Sequence, residues 1–136
     1  MAVNPINVRV ISYNPARAFK LAGGATSFRR GAIVKLTSGL LVPAVDNDEN
    51  GLFFFSMNEF ATGSGQDVLV VPITDAIAVL TYTGTVPTSP TAIGVAYGIT
   101  GPITLDFDNV TQILLTVLDV DTSKETVTVT GTNLSI

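Results

Sequence analysis

Residues 92–99 read Ala92-Ile93-Gly94-Val95-Ala96-Tyr97-Gly98-Ile99, the cleanest two-residue alternation in the chain. In an extended strand Ile93, Val95, Tyr97 and Ile99 point one way, and Ala92, Gly94, Ala96 and Gly98 the other. The pattern predicts a strand with one bulky face and one bare face. A bare face permits close approach by another backbone or sheet, within the domain or between subunits.

Working outward, the same period recurs. Ile103, Leu105 and Phe107 alternate with Thr104, Asp106 and Asp108, and Val127 and Val129 alternate with Thr126, Thr128 and Thr130, so each stretch has a buried and a solvated side. Gln112 to Leu118 is mostly apolar and predicts a central strand. Upstream, Val68 to Ile73 and Ala76 to Tyr82 are strand-like runs separated by Thr74-Asp75, and Pro72 places the first at an edge or bulge. Ala32 to Leu36 and Leu40 to Val45 flank Thr37-Ser38-Gly39 with the spacing of a hairpin. Asp46 to Gly51 and Thr85 to Thr91 read as loops, and only Ser56 to Thr62 suits a short helical turn. Phe53-Phe54-Phe55 could form a partner-binding patch, but alternation buries at least the middle ring or the outer pair, so core is the preferred reading. There is no internal repeat of fixed period. Many short strands between turn signals predict an all-β chain, a small antiparallel β-sandwich or barrel.

The 136 residues include no cysteine and no histidine. That removes disulfides, thiolate and imidazole metal ligands, thiol nucleophiles and the commonest general base. No secretory leader is expected from the first residues, so the sequons at Asn109 and Asn133 read as chance matches. Thr, Gly, Pro and Asp interrupt every apolar run, so no membrane association is expected.

Charged residues make up only 13% of the chain, against about 25% in ordinary globular domains. Apolar residues reach 46%, and this balance suits either a surface that ends up covered by other protein or simply a Thr-rich β-sandwich. The charges are also segregated. Arg9, Arg17, Lys20, Arg29, Arg30 and Lys35 precede every acid, giving +6, and Lys124 with eleven acids follows, giving +1 − 11 = −10. The predicted organisation is an extended basic N-terminal arm, residues 1–30, carrying one short strand around Val8 to Val10, and a β-sandwich or barrel body, residues 31–136. Nucleic acid is not expected as partner, because the body that would follow the arm onto phosphate is strongly acidic.

Few motifs carry chemistry. Asp46, Asp48, Asn50 and Gly51 fall at positions one, three, five and six of a calcium-binding hand, but position twelve is Met57 where a bidentate Glu is required, and Glu59 comes two residues late. Asp106 and Asp108 share a predicted strand face, as paired acid-base groups would. With no Trp and three Tyr to line a groove, a solvent-facing stripe that discourages unwanted strand pairing is the preferred reading, and Asp119 and Asp121 read the same way. Gly63-Ser64-Gly65-Gln66-Asp67 lacks the ending of a phosphate loop, and no Gly-x-Ser-x-Gly elbow occurs. No catalytic site, metal or cofactor is expected.

Two stretches carry a family resemblance. Arg30-Gly31-Ala32-Ile33-Val34-Lys35-Leu36, followed by Gly39-Leu40-Leu41-Val42-Pro43-Ala44, resembles the opening hairpin of the decoration or cement proteins of tailed-phage capsids, with its Gly-x-x-Val-x-Leu and Gly-x-Leu-x-Pro-Ala pattern. Ile93 to Ile99, Val117-Leu118-Asp119-Val120-Asp121-Thr122 and the Val-Thr alternation to Thr130 are similar to the second half of such proteins. Together they cover most of residues 30–130, apart from residues 52–66. The resemblance implies an outer-capsid structural protein, made in the host cytoplasm and placed on the virion surface. It adds after shell expansion, partners the major capsid protein and forms a homo-oligomer, a trimer by family analogy. Charge segregation then suggests Arg9, Arg17, Lys20, Phe28, Arg29 and Arg30 as the capsid-docking residues. Two other readings are a carbohydrate- or host-surface-binding β module, stacking sugar on Tyr82 or Tyr97, and a tail-tube subunit.

Overall fold

A computed structural model of the chain describes residues 8–10, 17–21, 27–48, 51–57, 60–62, 67–87 and 91–132. Its strands are β1 (Val8–Val10), β2 (Arg17–Leu21), β3 (Ser27–Arg29), β4 (Ile33–Thr37), β5 (Leu40–Pro43), β6 (Leu52–Ser56), β7 (Phe60–Thr62), β8 (Asp67–Pro72), β9 (Ala76–Thr83), β10 (Ala96–Gly101), β11 (Thr104–Asp106), β12 (Leu115–Asp121) and β13 (Thr126–Gly131). A single 3₁₀ turn at Ile73–Asp75 is the only helical element among the described residues. The chain is all-β, and of the two expected architectures it is the barrel.

Two rings organise it. β2, β5, β4, β6 and β8 close into a barrel in that order. The remaining sheet runs β1-β9-β11-β10-β12-β13 and curls until β13 pairs with β9. All pairings are antiparallel except β2 with β5 and β9 with β11. β3 and β7 form a separate two-stranded ribbon. The described pieces of residues 1–30 are thus strands: β1 lies along Ala76 to Ala78, β2 is a stave of the first barrel, and β3 pairs with β7.

The triple phenylalanine explains how the rings stack. Phe54 lies in the cluster that fills the first barrel, with Val34, Leu41, Val68 and Val70, and its ring sits 5.4 Å from that of Phe19. Phe53 and Phe55 point the opposite way into a second cluster, which holds Ile33, Val71 and Ile73 together with Leu80, Ile99, Leu115 and Val129 of the second ring. Both faces of β6 are therefore buried, because barrel interior lies on one side and the other ring on the other. Each such buried ring contributes about 1.5–3 kcal/mol relative to exposure.

The predicted hairpin forms between β4 and β5. Ser38 (φ 51°) and Gly39 (φ 81°) are both left-handed, the requirement of a two-residue type I′ turn whose twist matches the flanking strands. Three expectations need correcting. The strand foreseen from Ala92 starts only at Ala96. Residues 91–94 turn instead, with Gly94 at φ +84°, so Ala92 is buried and Ile93 and Val95 are exposed. Gly94 supplies the positive φ that breaks the alternation. The helical turn foreseen at Ser56 to Thr62 is absent from its described residues: Ser56 ends β6, and Phe60–Thr62 is a strand because Ser27–Arg29 offers it a ladder. The central strand foreseen from Gln112 begins at Leu115 and continues to Asp121.

Candidate interaction surface

The junction of the two rings is polar at its rim. Ile33 N–H donates to Pro102 O at 2.7 Å, and Asn47 N–H donates to Ile99 O at 3.0 Å. Asn109, buried on β11's outgoing loop, donates from Nδ2 to Asn47 Oδ1 at 2.9 Å and accepts at Oδ1 from Gln112 N–H at 3.0 Å. A Cβ on Gly98 would lie 2.2 Å from Asn109 Nδ2 and 2.6 Å from Gln112 O. The bare face of β10 is thus used for close approach within the molecule. Every buried side-chain nitrogen and oxygen among the described residues has a partner.

Four of the acidic side chains that sequence reading singled out, Asp48, Asp106, Asp108 and Asp121, are spent on turns. Asp48 pairs with Lys35 Nζ at 3.2 Å and accepts from Val45 N–H at 2.8 Å, while Lys35 Nζ also stands 5.8 Å from the centre of the Phe53 ring. In the calcium-hand pattern Glu49 and Asn50 lie outside the described residues. Met57, at the closing position, packs against the apolar cluster. Asp106 Oδ1 accepts from Asp108 N–H at 2.9 Å, and Asp108 Oδ1 accepts from Thr85 N–H at 3.1 Å. Asp108 lies beyond the end of β11, so the two carboxylates do not form a strand-borne pair. They clasp Gly84, where a Cβ would lie 2.9 Å from Asp108 N. Asp121 Oδ1 accepts from the Ser123 hydroxyl at 2.7 Å and from Ser123 and Lys124 N–H at 3.1 Å. These bonds hold its carboxyl below the usual range, the Ser123 hydroxyl contributing most. No cluster of three or more potential metal-ligating His, Cys, Asp or Glu occurs among the described residues.

What the surface offers instead is apolar. Val45, Leu52 and Val110 are 61%, 62% and 65% exposed. Ile93, Val95 and Leu118 are exposed on two adjacent backbone segments, where Gly94 N–H donates to Val117 O and Val117 N–H donates to Val95 O. Sequence reading did not single out these side chains, because alternation grouped Ile93 and Val95 with Tyr97 and Ile99 on one bulky strand face, whereas only the latter two are buried. The left-handed bias of Gly94 was the available signal.

Five of the six suggested docking residues fall on three sheets. Arg9 is opposite Ile77 in the second ring, Arg17 opposite Val70, and Lys20 opposite Asp67 and Leu40 in the first barrel; Phe28 and Arg29 are opposite Ala61 and Phe60 in the ribbon. Arg30 is exposed in the turn that follows. Tyr97 is buried and packs edge-on to Phe107 at 5.0 Å, and Tyr82 meets the same ring at 5.2 Å. Tyr13 lies outside the described residues. No helix among the described residues is long and apolar enough to cross a membrane. Compared with known proteins, the chain matches no family model, no curated protein and no solved structure.

Proposed function

We propose that the chain is a structural decoration protein of a phage head, binding the outer surface of the shell through the major capsid protein and bracing it. The observation that carries this reading is the division of labour among side chains. Asp48, Asp106, Asp108 and Asp121 are engaged in holding turns, whereas large aliphatic side chains such as Val45, Leu52 and Val110 stand in solvent. A molecule with 13% charged residues and such exposed aliphatics gains by being covered. The sequence resemblance supplies the partner. A ligand that binds only the assembled shell stabilises it by mass action, and an oligomer touching several capsomers gains avidity without tight single contacts.

Mixing the purified protein with expanded, undecorated shells tests the reading: it sediments with the shells, and their disruption temperature rises. Protein that stays in the supernatant at every ratio overturns it, and spontaneous tubes of pure protein would point to a tail subunit. The docking residues are tested by substitution, since removing residues 2–30 would also remove β1, β2 and β3. Arg30→Glu weakens shell binding, and the effect shrinks as salt screens it. The sugar-binding reading has less support, because Tyr97 is buried and Tyr82 packs on Phe107.

A further inference from the structure

The two rings can be matched strand for strand. Numbered within each ring in chain order, the first barrel's strands are β2, β4, β5, β6 and β8, and the second ring's are β9 to β13. Around each ring the order is then first, third, second, fourth, fifth, and back to first. In each the lone parallel pairing joins the first strand to the third.

The register matches as well. Set Lys20 against Thr81: Lys20 pairs with Leu40 and Thr81 with Thr104, which matches Leu41 to Leu105. Leu41 faces Leu36, and Leu105 faces Ile99. Two residues earlier on those strands, Val34 faces Phe54 and Tyr97 faces Leu115. Phe54 faces Pro72, and Leu115 faces Gly131. Two residues earlier again, Val70 faces Arg17 and Val129 faces Ala78. Lys20 is three residues beyond Arg17 and Thr81 three beyond Ala78, so the circuit closes on the pair it started from without a slip. Five strands closed with the same stagger means the same shear, hence the same tilt and radius.

Burial agrees with the match. Leu41 and Leu105, Phe54 and Leu115, Val70 and Val129, and Val68 and Val127 are buried apolar pairs at matched positions. A slip of one residue anywhere would set an inward side chain against an outward one. Strand order and register are separate quantities; the order agrees throughout, and the register agrees at every pairing named above, the second copy slipping by one residue only past Ile99, where Gly101 faces Thr104.

We infer that residues 17–72 and 76–131 are two copies of one five-stranded barrel module fused in tandem, so that the chain is a covalent dimer of that module. The fusion is the three-residue turn Ile73–Asp75, clamped by Thr130 Oγ1, which donates to Ala76 O at 2.7 Å. The surfaces have diverged while the interiors stayed apolar: by sequence the first copy carries five cations and five acids, and the second one cation and five acids. The second copy also carries the irregularities, at Ile99/Gly101 and Val117/Asp119. Any oligomer of this chain presents twice as many barrels as it has subunits, which bears on how it would sit on a repeating lattice but does not depend on the lattice.

Cross-strand nuclear Overhauser contacts in the intact labelled protein test the inference. Matching contacts are expected for Lys20/Leu40 and Thr81/Thr104, for Val34/Phe54 and Tyr97/Leu115, and for Arg17/Val70 and Ala78/Val129. In a crystal structure the two halves would superpose with each matched pair within one residue step, about 3.8 Å. A different strand order in either ring, or a register offset of one residue at any of these pairings, overturns it.

Discussion

Asn109 reaches Asn47 across 62 positions of sequence, Nδ2 donating to Oδ1 at 2.9 Å, and this bond joins the loop leaving β5 to the loop leaving β11. Asn47 is held for it at φ 64°, with its own N–H on Ile99 O. Asparagine tolerates the left-handed region better than most residues. Asn109→Ala removes the donor to Asn47 and the acceptor of Gln112 N–H together, two hydrogen bonds at a part-buried site. A loss of about 1–3 kcal/mol is expected in urea unfolding. Unchanged stability would mean that the loops do not hold the rings together.

Gly98 and Gly101 make a matched pair on one strand. A Cβ at Gly98 collides with Asn109 and with the backbone of Gln112, whereas at Gly101 nothing lies within 4 Å. Gly98→Ala is expected to cost about 1–3 kcal/mol, as overpacked sites do. Gly101→Ala stays within about 0.5 kcal/mol of wild type. Equal unfolding midpoints for the two variants would refute the close packing of the β11 loop on β10.

Adjacent phenylalanines separate the two cores. Phe54→Ala opens the first barrel's interior and Phe55→Ala opens the contact between rings, and each is expected to cost about 3–5 kcal/mol. The two variants should differ in where amide protons exchange faster: β4 and β8 for Phe54→Ala, and the second ring as well for Phe55→Ala. Identical exchange maps would argue against two faces of β6 serving two cores.

Asp121 ties stability to pH in one direction. Its folded-state carboxyl titrates below its unfolded value, first because of the Ser123 hydroxyl and then the Lys124 N–H. Its contribution is therefore present above the unfolded pKa and lost as pH falls through the folded one. Wild type should exceed Asp121→Ala in thermal midpoint at neutral pH, with the gap narrowing through the acid range. A gap that widens on acidification would contradict the hydrogen-bond assignment.

Strand content was legible because alternation in Val127 to Thr130 and in Leu105 to Phe107 is local, and Ser38-Gly39 announced its own turn. The charge pattern by itself does not show where its cations sit in the fold. Reading +6 ahead of −10 suggests a basic arm on an acidic body, but β2 is in register with β8 and β5, so Arg17 and Lys20 join the barrel that also carries Asp48 and Asp67. By sequence count residues 17–72 then balance, five against five, and residues 76–132 keep a net −4. Asp106 and Asp108 looked alike along the chain, yet the strand ends between them and each clasps a different part of one turn.

Composition and period alone determined that this chain is all-β, lacks cysteine and histidine chemistry, and is poor in charge, because each follows from residue identity or from neighbours two positions apart. Only the tertiary structure decided that there are two closed rings, that they share one strand order and register, and that Ile93 and Val95 face outward. Those facts depend on hydrogen bonds between strands tens of residues apart and on one left-handed glycine. The interior requires only apolar bulk of suitable volume, which is why Val34 and Tyr97, or Phe54 and Leu115, hold equivalent places without resembling one another.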